Sequence, residues 1–245
     1  MKNFINICLI ATLALFFANC AKIDHAVNQK ITIYPVIELT EGAAVAHQVG
    51  TPWVDPGYSA TLEGVDITAD VIVDDPVDGD VSGVYSISYS YVNVDGFEIS
   101  RSRTVVVYDI ANASTIDISG TYDVARFERY KLEDDSFDRC YNDVAGFSFP
   151  MKISKGPATG LFYMQDMLCG FYDQYYEYGP DYAYKAFLLL NTDNTLSLLN
   201  GDEVDPFGDP IFLYSSAYDP ATGSVRLAWD WGSAKFYFVT YYQKS

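Results

Sequence analysis

The chain has little histidine and little positive charge. His25 and His47 are its two histidines, and none follows His47. Ser-His-Asp and Cys-His catalysis and imidazole metal sites are therefore excluded from the C-terminal half. Lys and Arg total 15 against 33 Asp and Glu, for a formal net charge of −18. Such a field repels polyanions, so nucleic acid is not expected as a partner. A Gly-rich phosphate loop, GxGxxG and HExxH are absent as well. The four cysteines, at 8, 20, 140 and 169, form no CxxC pair, which removes the usual redox and zinc spacings. No cofactor, no metal and no enzymatic activity are expected.

Long apolar runs are also scarce. The one that stands out, Ile7 to Ala18, has 12 residues, short of the ~20 that cross a bilayer as a helix. With Lys2 in front of it, it reads as an export signal. The following Phe17-Ala18-Asn19-Cys20 resembles a bacterial lipobox, with Asn19 where Gly or Ala is usual and Phe17 where Leu is usual. The resemblance implies a signal peptide over 1–19, lipidation of Cys20 and a tether over 20–29. Each buried acyl methylene then adds about 0.8 kcal/mol to membrane attachment. Cys140 and Cys169 remain in the exported chain. They are candidates for a disulfide closing a loop of about 30 residues, or for two free thiols.

What the chain has in plenty is aromatic side chains: 21 Tyr and 15 Phe, with aromatics at 16%. Rings that are apolar in the body and polar at the hydroxyl suit half-buried strands. Over 30–110 short apolar runs alternate with turns. Tyr85, Ile87, Tyr89 and Tyr91 fall on one face and Ser86, Ser88 and Ser90 on the other, a period of two. Asp95-Gly96 supplies a hairpin turn, after which Phe97 to Tyr108 returns. About seven such runs predict an antiparallel sandwich. A short polar linker, 111–115, follows.

The remainder, 116–245, holds fifteen Tyr, eleven Phe and two Trp. Eight strand-like runs are separated by turn sequences such as "NTDN" and "DPATG". They predict an up-and-down meander closing as a barrel, and an all-β chain overall; Ile118 to Val124 resembles the first strand of lipocalin-like bacterial domains.

Two aromatic stretches are candidate ligand surfaces. "GFYDQYYEYGPDYAY", 170–184, carries six tyrosines and three carboxylates. Tyr172, Tyr175, Tyr176, Tyr178 and Tyr182 could stack on the apolar faces of sugar rings while neighbouring polar groups meet the hydroxyls. Trp229 and Trp231 share one strand face and are the second candidate. In both stretches the alternative is that the rings fill a barrel core or wall. Carboxylates crowd at Asp134, Asp135 and Asp138 and at Asp202, Glu203, Asp205 and Asp209. Their polar turn settings suit loop ends better than a glycosidase pair. "DGDVSG", Asp78 to Gly83, imitates the start of an EF-hand loop, but Tyr89 stands where the closing Glu belongs.

Three motifs carry a family resemblance: Trp53-Val54-Asp55-Pro56-Gly57-Tyr58, Val65-Asp66-Ile67-Thr68 and Gly83 to Tyr89. They resemble the bacterial surface immunoglobulin-like repeat, which implies a non-catalytic spacer. The whole order of lipobox, this module and an aromatic β-domain resembles gut-bacterial (Bacteroides-type) surface lipoproteins with a C-terminal β-domain of unknown function. That resemblance implies a non-enzymatic accessory of polysaccharide utilisation, anchored at the outer membrane and facing the cell surface. Its partner would be a glycan or, alternatively, an outer-membrane protein onto which it docks.

Overall fold

A computed structural model describes residues 32–143, 149–200, 208–231 and 235–245; the side chains of Asp143 and Trp231 are outside that description. The signal, Cys20 and the whole of the tether lie outside the described residues, as do Asp202, Glu203 and Asp205. Pro35–Ser245 forms one compact unit.

Its first part has seven strands: β1 Val36–Leu39, β2 Ala44–Gln48, β3 Tyr58–Leu62, β4 Val65–Asp66, β5 Ile72–Asp74, β6 Gly83–Val92 and β7 Glu98–Tyr108. They make two sheets, β1-β3-β4 and β2-β7-β6-β5. The period of two in β6 is realised, with Ile87 and Tyr89 fully buried between the sheets and Ser86 exposed. The sandwich departs from a purely antiparallel one, because β2 runs parallel to β7. These strands lie far apart in the chain, so no tight turn constrains their direction.

The second part is built from β8 Gly120–Lys131, β9 Phe137–Cys140, β10 Pro150–Lys155, β11 Leu161–Met164, β12 Ala186–Leu190, β13 Leu196–Leu198, β14 Ile211–Asp219, β15 Ser224–Trp231 and β16 Phe236–Lys244. The eight expected strands follow one another around the sheet, and the first pairs with the last, β8 with β16. The ring is nearly closed. At the β13–β14 seam, Ser216 Oγ accepts from Leu196 N and donates to Leu196 O, each at 2.7 Å, and Tyr218 N donates to Asn194 O. The unexpected strand is β9, whose "FDRC" shows no apolar alternation. It hairpins onto the far half of β8, while β10 pairs with the near half.

The barrel has a solid interior. Phe127, Trp229, Phe238, Tyr122 and Tyr242 are among its fully buried side chains. The buried phenols find acceptors, Tyr122 at Ile118 O (2.6 Å) and Tyr242 at Met167 O (3.0 Å), as buried hydroxyls must.

The stretch 111–115, expected as a linker, is docked. Ile110–Asn112 forms a 3-10 turn, Ala113 bridges to Asn191, and Ser114 N donates to Leu190 O at 2.8 Å. The end of β7 is buried on both faces. Val105 and Val107 enter the sandwich core, while Val106 and Tyr108 pack on Leu161 and Leu189 of the barrel.

Candidate functional site

Between β11 and β12 the chain makes its longest excursion, and Asp166 ties the two ends of this loop together. One carboxylate oxygen of Asp166 accepts from Leu168 N (2.9 Å) and Tyr184 N (3.0 Å), and the other accepts from Gly170 N (2.7 Å). Met167 N donates to Tyr184 O at 2.8 Å across the same neck. The Asp166 carboxyl is buried, which pushes its pKa up to about 6 against the pull of the three N–H groups.

Beyond the neck the backbone turns left-handed at Cys169 (φ 53°) and Gly170 (φ 75°). A Cβ on Gly170 would sit 3.0 Å from the Phe149 ring, so the position needs glycine for room as well as for φ. A single π-helical turn, Phe171–Tyr175, follows, with Tyr175 N donating to Gly170 O and Tyr176 N to Phe171 O. Still wider bonds, Tyr178 N to Tyr172 O and Gly179 N to Asp173 O, close the loop. Wide turns of this kind recur at functional sites.

This backbone brings the five predicted tyrosines together on a buried anchor. Phe171 sits in the barrel core against Phe127, and the Tyr172, Tyr175 and Tyr176 rings pack on it at 5.0, 6.0 and 5.1 Å. Tyr172, Tyr176 and Tyr178 lie within 25° of parallel at centroid distances of 5.7 to 6.3 Å. Tyr182 meets Tyr178 edge-on at 5.3 Å. Tyr176 and Tyr178 are 46% and 53% exposed. The result is a rigidly backed aromatic platform. Asp173, Glu177 and Asp181 are interleaved with the rings, and no Lys, Arg or His occurs from 166 to 184.

The other predicted residues lie elsewhere. Trp229 is a correction: it is fully buried, stacks on Phe238 at 4.9 Å and donates to Thr240 Oγ1 at 3.0 Å. Its face of β15 is the inner one, so it is a core residue and offers nothing to a ligand. Trp231 ends the same strand, and its side chain lies outside the described residues. Cys140 and Cys169 are both free thiols. Cys169 is sealed in the barrel core, while Cys140 is on β9 with its Sγ 3.6 Å from Asn142 Oδ1. Two carboxylates of the first acidic cluster are spent on structure: Asp138 pairs with Arg129 at 2.5 Å, and Asp134 accepts from Ser136 N at 3.0 Å. Among the described residues no group of three His, Cys, Asp or Glu could hold a metal ion, and no helix is long and apolar enough to cross a membrane.

Sequence reasoning missed Asp166. The signal for it was thin: a lone acid at the end of an apolar strand, just before a loop of fixed shape.

An immunoglobulin-like sandwich docked on a filled aromatic barrel defines a two-module all-β protein. A family model for the bacterial surface protein Ig-like domain matches residues 37–107, and one described as a C-terminal domain matches 111–244. The crystal structure of the lipoprotein BT2262 from Bacteroides thetaiotaomicron is 31% identical, with 86% of this chain and all of that chain covered and a TM-score of 0.44. The chain belongs to the family of that lipoprotein. Two structures of Clostridium perfringens ZmpB are more distant. One, of the M60 catalytic domain with CBM51-1 and CBM51-2, is 23% identical over 54% of this chain and 14% of that one, with a TM-score of 0.27. The other, of CBM51-2 in complex with GlcNAc and INT domains, is 22% identical over 53% and 31%, with a TM-score of 0.28. Likenesses of that order carry no argument about this chain. No curated protein matches it.

Proposed function

We propose that the chain is a non-enzymatic glycan-binding lipoprotein, held at the outer membrane through Cys20 and displayed at the cell surface. The observation that carries this reading is the tyrosine platform. Rings locked by Phe171 and by the Asp166 neck lose little freedom when a ligand arrives, which favours binding. Their faces suit the C–H faces of sugar rings, and Asp173, Glu177 and Asp181 supply acceptors for hydroxyls. The same carboxylates make the 166–184 segment acidic, which favours neutral or amino sugars over uronic or sulfated ones. Membership in a family whose relative is a lipoprotein supports the anchor, and the surface Ig-like module supports a spacer role.

Affinity electrophoresis of the chain from residue 21 onward, in gels containing xylan, mixed-linkage β-glucan, galactomannan or starch, tests the reading. Each stacked ring contributes about 0.5–1.5 kcal/mol, so Tyr176→Ala with Tyr178→Ala should weaken retardation about fivefold or more. Unaltered retardation in the double variant would remove the platform from the binding site.

A further inference from the structure

The sandwich has two unlike ends, and β7 runs from one to the other. Near its C-terminus Val106 and Tyr108 pack on the barrel. At the other end the chain enters β1. Thr104 N donates to Ala43 O, Arg103 donates to Thr40 O and Gly42 O, and Ile37 to Leu39 share a groove with Ser100 to Ser102. β1 and β7 therefore run in the same direction, and Val36 stands level with the start of β7. The β3–β4 and β6–β7 hairpins turn at this end too, because Val36 pairs with Thr61 beside the Leu62–Val65 pair, and Val92 pairs with Glu98.

This entry end is apolar. Val94, in the β6–β7 turn, is 88% exposed and Val65, beside the β3–β4 turn, 65%; Val36, Val92 and Phe97 are each about half exposed. Turns are ordinarily built from Gly, Pro, Asn, Asp and Ser, and the β6–β7 turn is a stapled one. Asn93 Oδ1 accepts from Asp95 N (3.0 Å) and Phe97 N (2.9 Å), and Asn93 N donates to Phe97 O at 2.9 Å. The staple holds Val94 out in water at a fixed position. Apolar side chains gathered at one end and rimmed by polar ones mark a surface that meets a partner or a membrane. The rim here is acidic, with Glu63 and Asp66 from one hairpin and Asp95 and Glu98 from the other.

We infer that this end is a lipid-contact surface, with Val94 and Val65 entering the headgroup layer of an uncharged or zwitterionic bilayer. The inference rests on the Cys20 anchor proposed above, and what selects lipid as the occupant is where the chain leads from this end. Cys20 lies fifteen residues before Pro35, a reach of at most about 50 Å. The apolar end is thus the end held nearest the bilayer. Tethering raises the effective concentration of the lipid surface, so burial of a few Val side chains and one Phe suffices for contact. The acidic rim and the net charge of −18 oppose an anionic surface. With this end on the lipid, the eleven residues of β7 carry the junction with the barrel about 35 Å away from it.

The test places a tryptophan at each end of the sandwich in turn. The full chain is reconstituted in phosphatidylcholine vesicles with brominated acyl chains. In a second arm the chain from residue 21 onward is held by an N-terminal His tag on vesicles of the same lipid doped with a nickel-chelating lipid. In both arms Val94→Trp should add blue-shifted, quenched emission to that of the parent protein, whose background comes from Trp53, Trp229 and Trp231. Val81→Trp, at an exposed site next to the barrel end of β6, where Gly83 pairs with Val107, should add unquenched emission. Substituting brominated phosphatidylglycerol should weaken the Val94→Trp quenching at low salt. Unquenched Val94→Trp emission in the tagged arm overturns the lipid contact whether or not Cys20 is acylated. Equal quenching of Val81→Trp also overturns it, since the sandwich then lies flat. If mass spectrometry finds Cys20 unmodified while tagged Val94→Trp is quenched, the anchor falls and the lipid contact stands. Undiminished quenching on phosphatidylglycerol overturns the assignment to uncharged lipid.

Discussion

Arg103, fully buried on β7, forms an ion pair with Asp55 from the loop before β3. The same guanidinium donates to Thr40 O at 2.6 Å and Gly57 O at 2.9 Å and lies 5.6 Å from the centre of the Tyr89 ring; Tyr89 in turn donates to Asp55 Oδ2 at 2.8 Å. Asp55 belongs to the Asp-Pro-Gly motif, so the motif that marks the module also neutralises the buried Arg103. Breaking a buried pair by removing one partner typically destabilises by about 3–5 kcal/mol. Asp55→Ala should lower the urea midpoint accordingly, whereas Asp55→Glu should recover part of the loss. A midpoint within error of the parent would show that the carbonyls alone satisfy Arg103.

The docking of the two modules makes its own prediction at Gly160. This residue has φ 80°, and a Cβ there would come within 2.7 Å of Ala113 Cβ. Gly160 O also accepts from Leu190 N at 2.8 Å. Gly160→Ala therefore adds backbone strain to a steric overlap, each of about 1–3 kcal/mol. Limited proteolysis should show new cleavage in 108–116, where the parent is protected. Unchanged protection would mean that the overlap relaxes locally.

The strand pattern was legible because it depends on local periodicity: Tyr85 to Tyr91 and the runs around the barrel wrote their faces into the sequence. β9 escaped since Phe137 to Cys140 gains its pairing from the unusual length of β8, which is a tertiary property. The tyrosine cluster was legible as composition. Its order was not, because that depends on Asp166 bridging 18 residues of sequence to Tyr184. Trp229 and Trp231 show the limit from the other side. Alternation places two residues on one face without saying which face is inward, and for Trp229 the answer came from Phe238 on the adjacent β16 and Phe127 one strand further, on β8.

The Asp166 neck predicts a pH dependence with a definite sign. Its carboxyl titrates near 6 in the folded chain, against an ordinary value of 3.8. A raised folded pKa means that the native state binds the proton more tightly than the unfolded chain does. This group therefore favours folding most below about pH 4, and that contribution is lost as pH rises towards 6 and beyond. Two units correspond to about 3 kcal/mol at most. Asp66, Asp134, Asp138, Asp193 and Asp219 are held low by hydrogen bonds and act in the opposite sense, losing their contribution as pH falls below about 4. Urea titrations at pH 4.5, 5.5 and 6.5 should show a negative slope that Asp166→Asn flattens. An identical slope in the variant would assign it to another group.

The two free thiols predict distinct reactivities. Thiol chemistry proceeds through the thiolate. Burial among core side chains pushes the Cys169 pKa well up, and the residue has no solvent access. Cys140 is partly exposed on the β8–β9 hairpin. Titration of the folded chain from residue 21 with a thiol reagent at pH 8 should therefore label Cys140 within minutes. Cys169 should react only on the timescale of unfolding, and urea should expose both. Because Cys169 joins the same buried neighbourhood as Tyr242 and Asp166, its labelling rate also reports opening of the tyrosine loop. Asp166→Asn should raise that rate and leave Cys140 unchanged. A chain that yields no thiol in urea until a reductant is added would instead carry the Cys140–Cys169 bridge, and the geometry around Cys169 would have to be rebuilt.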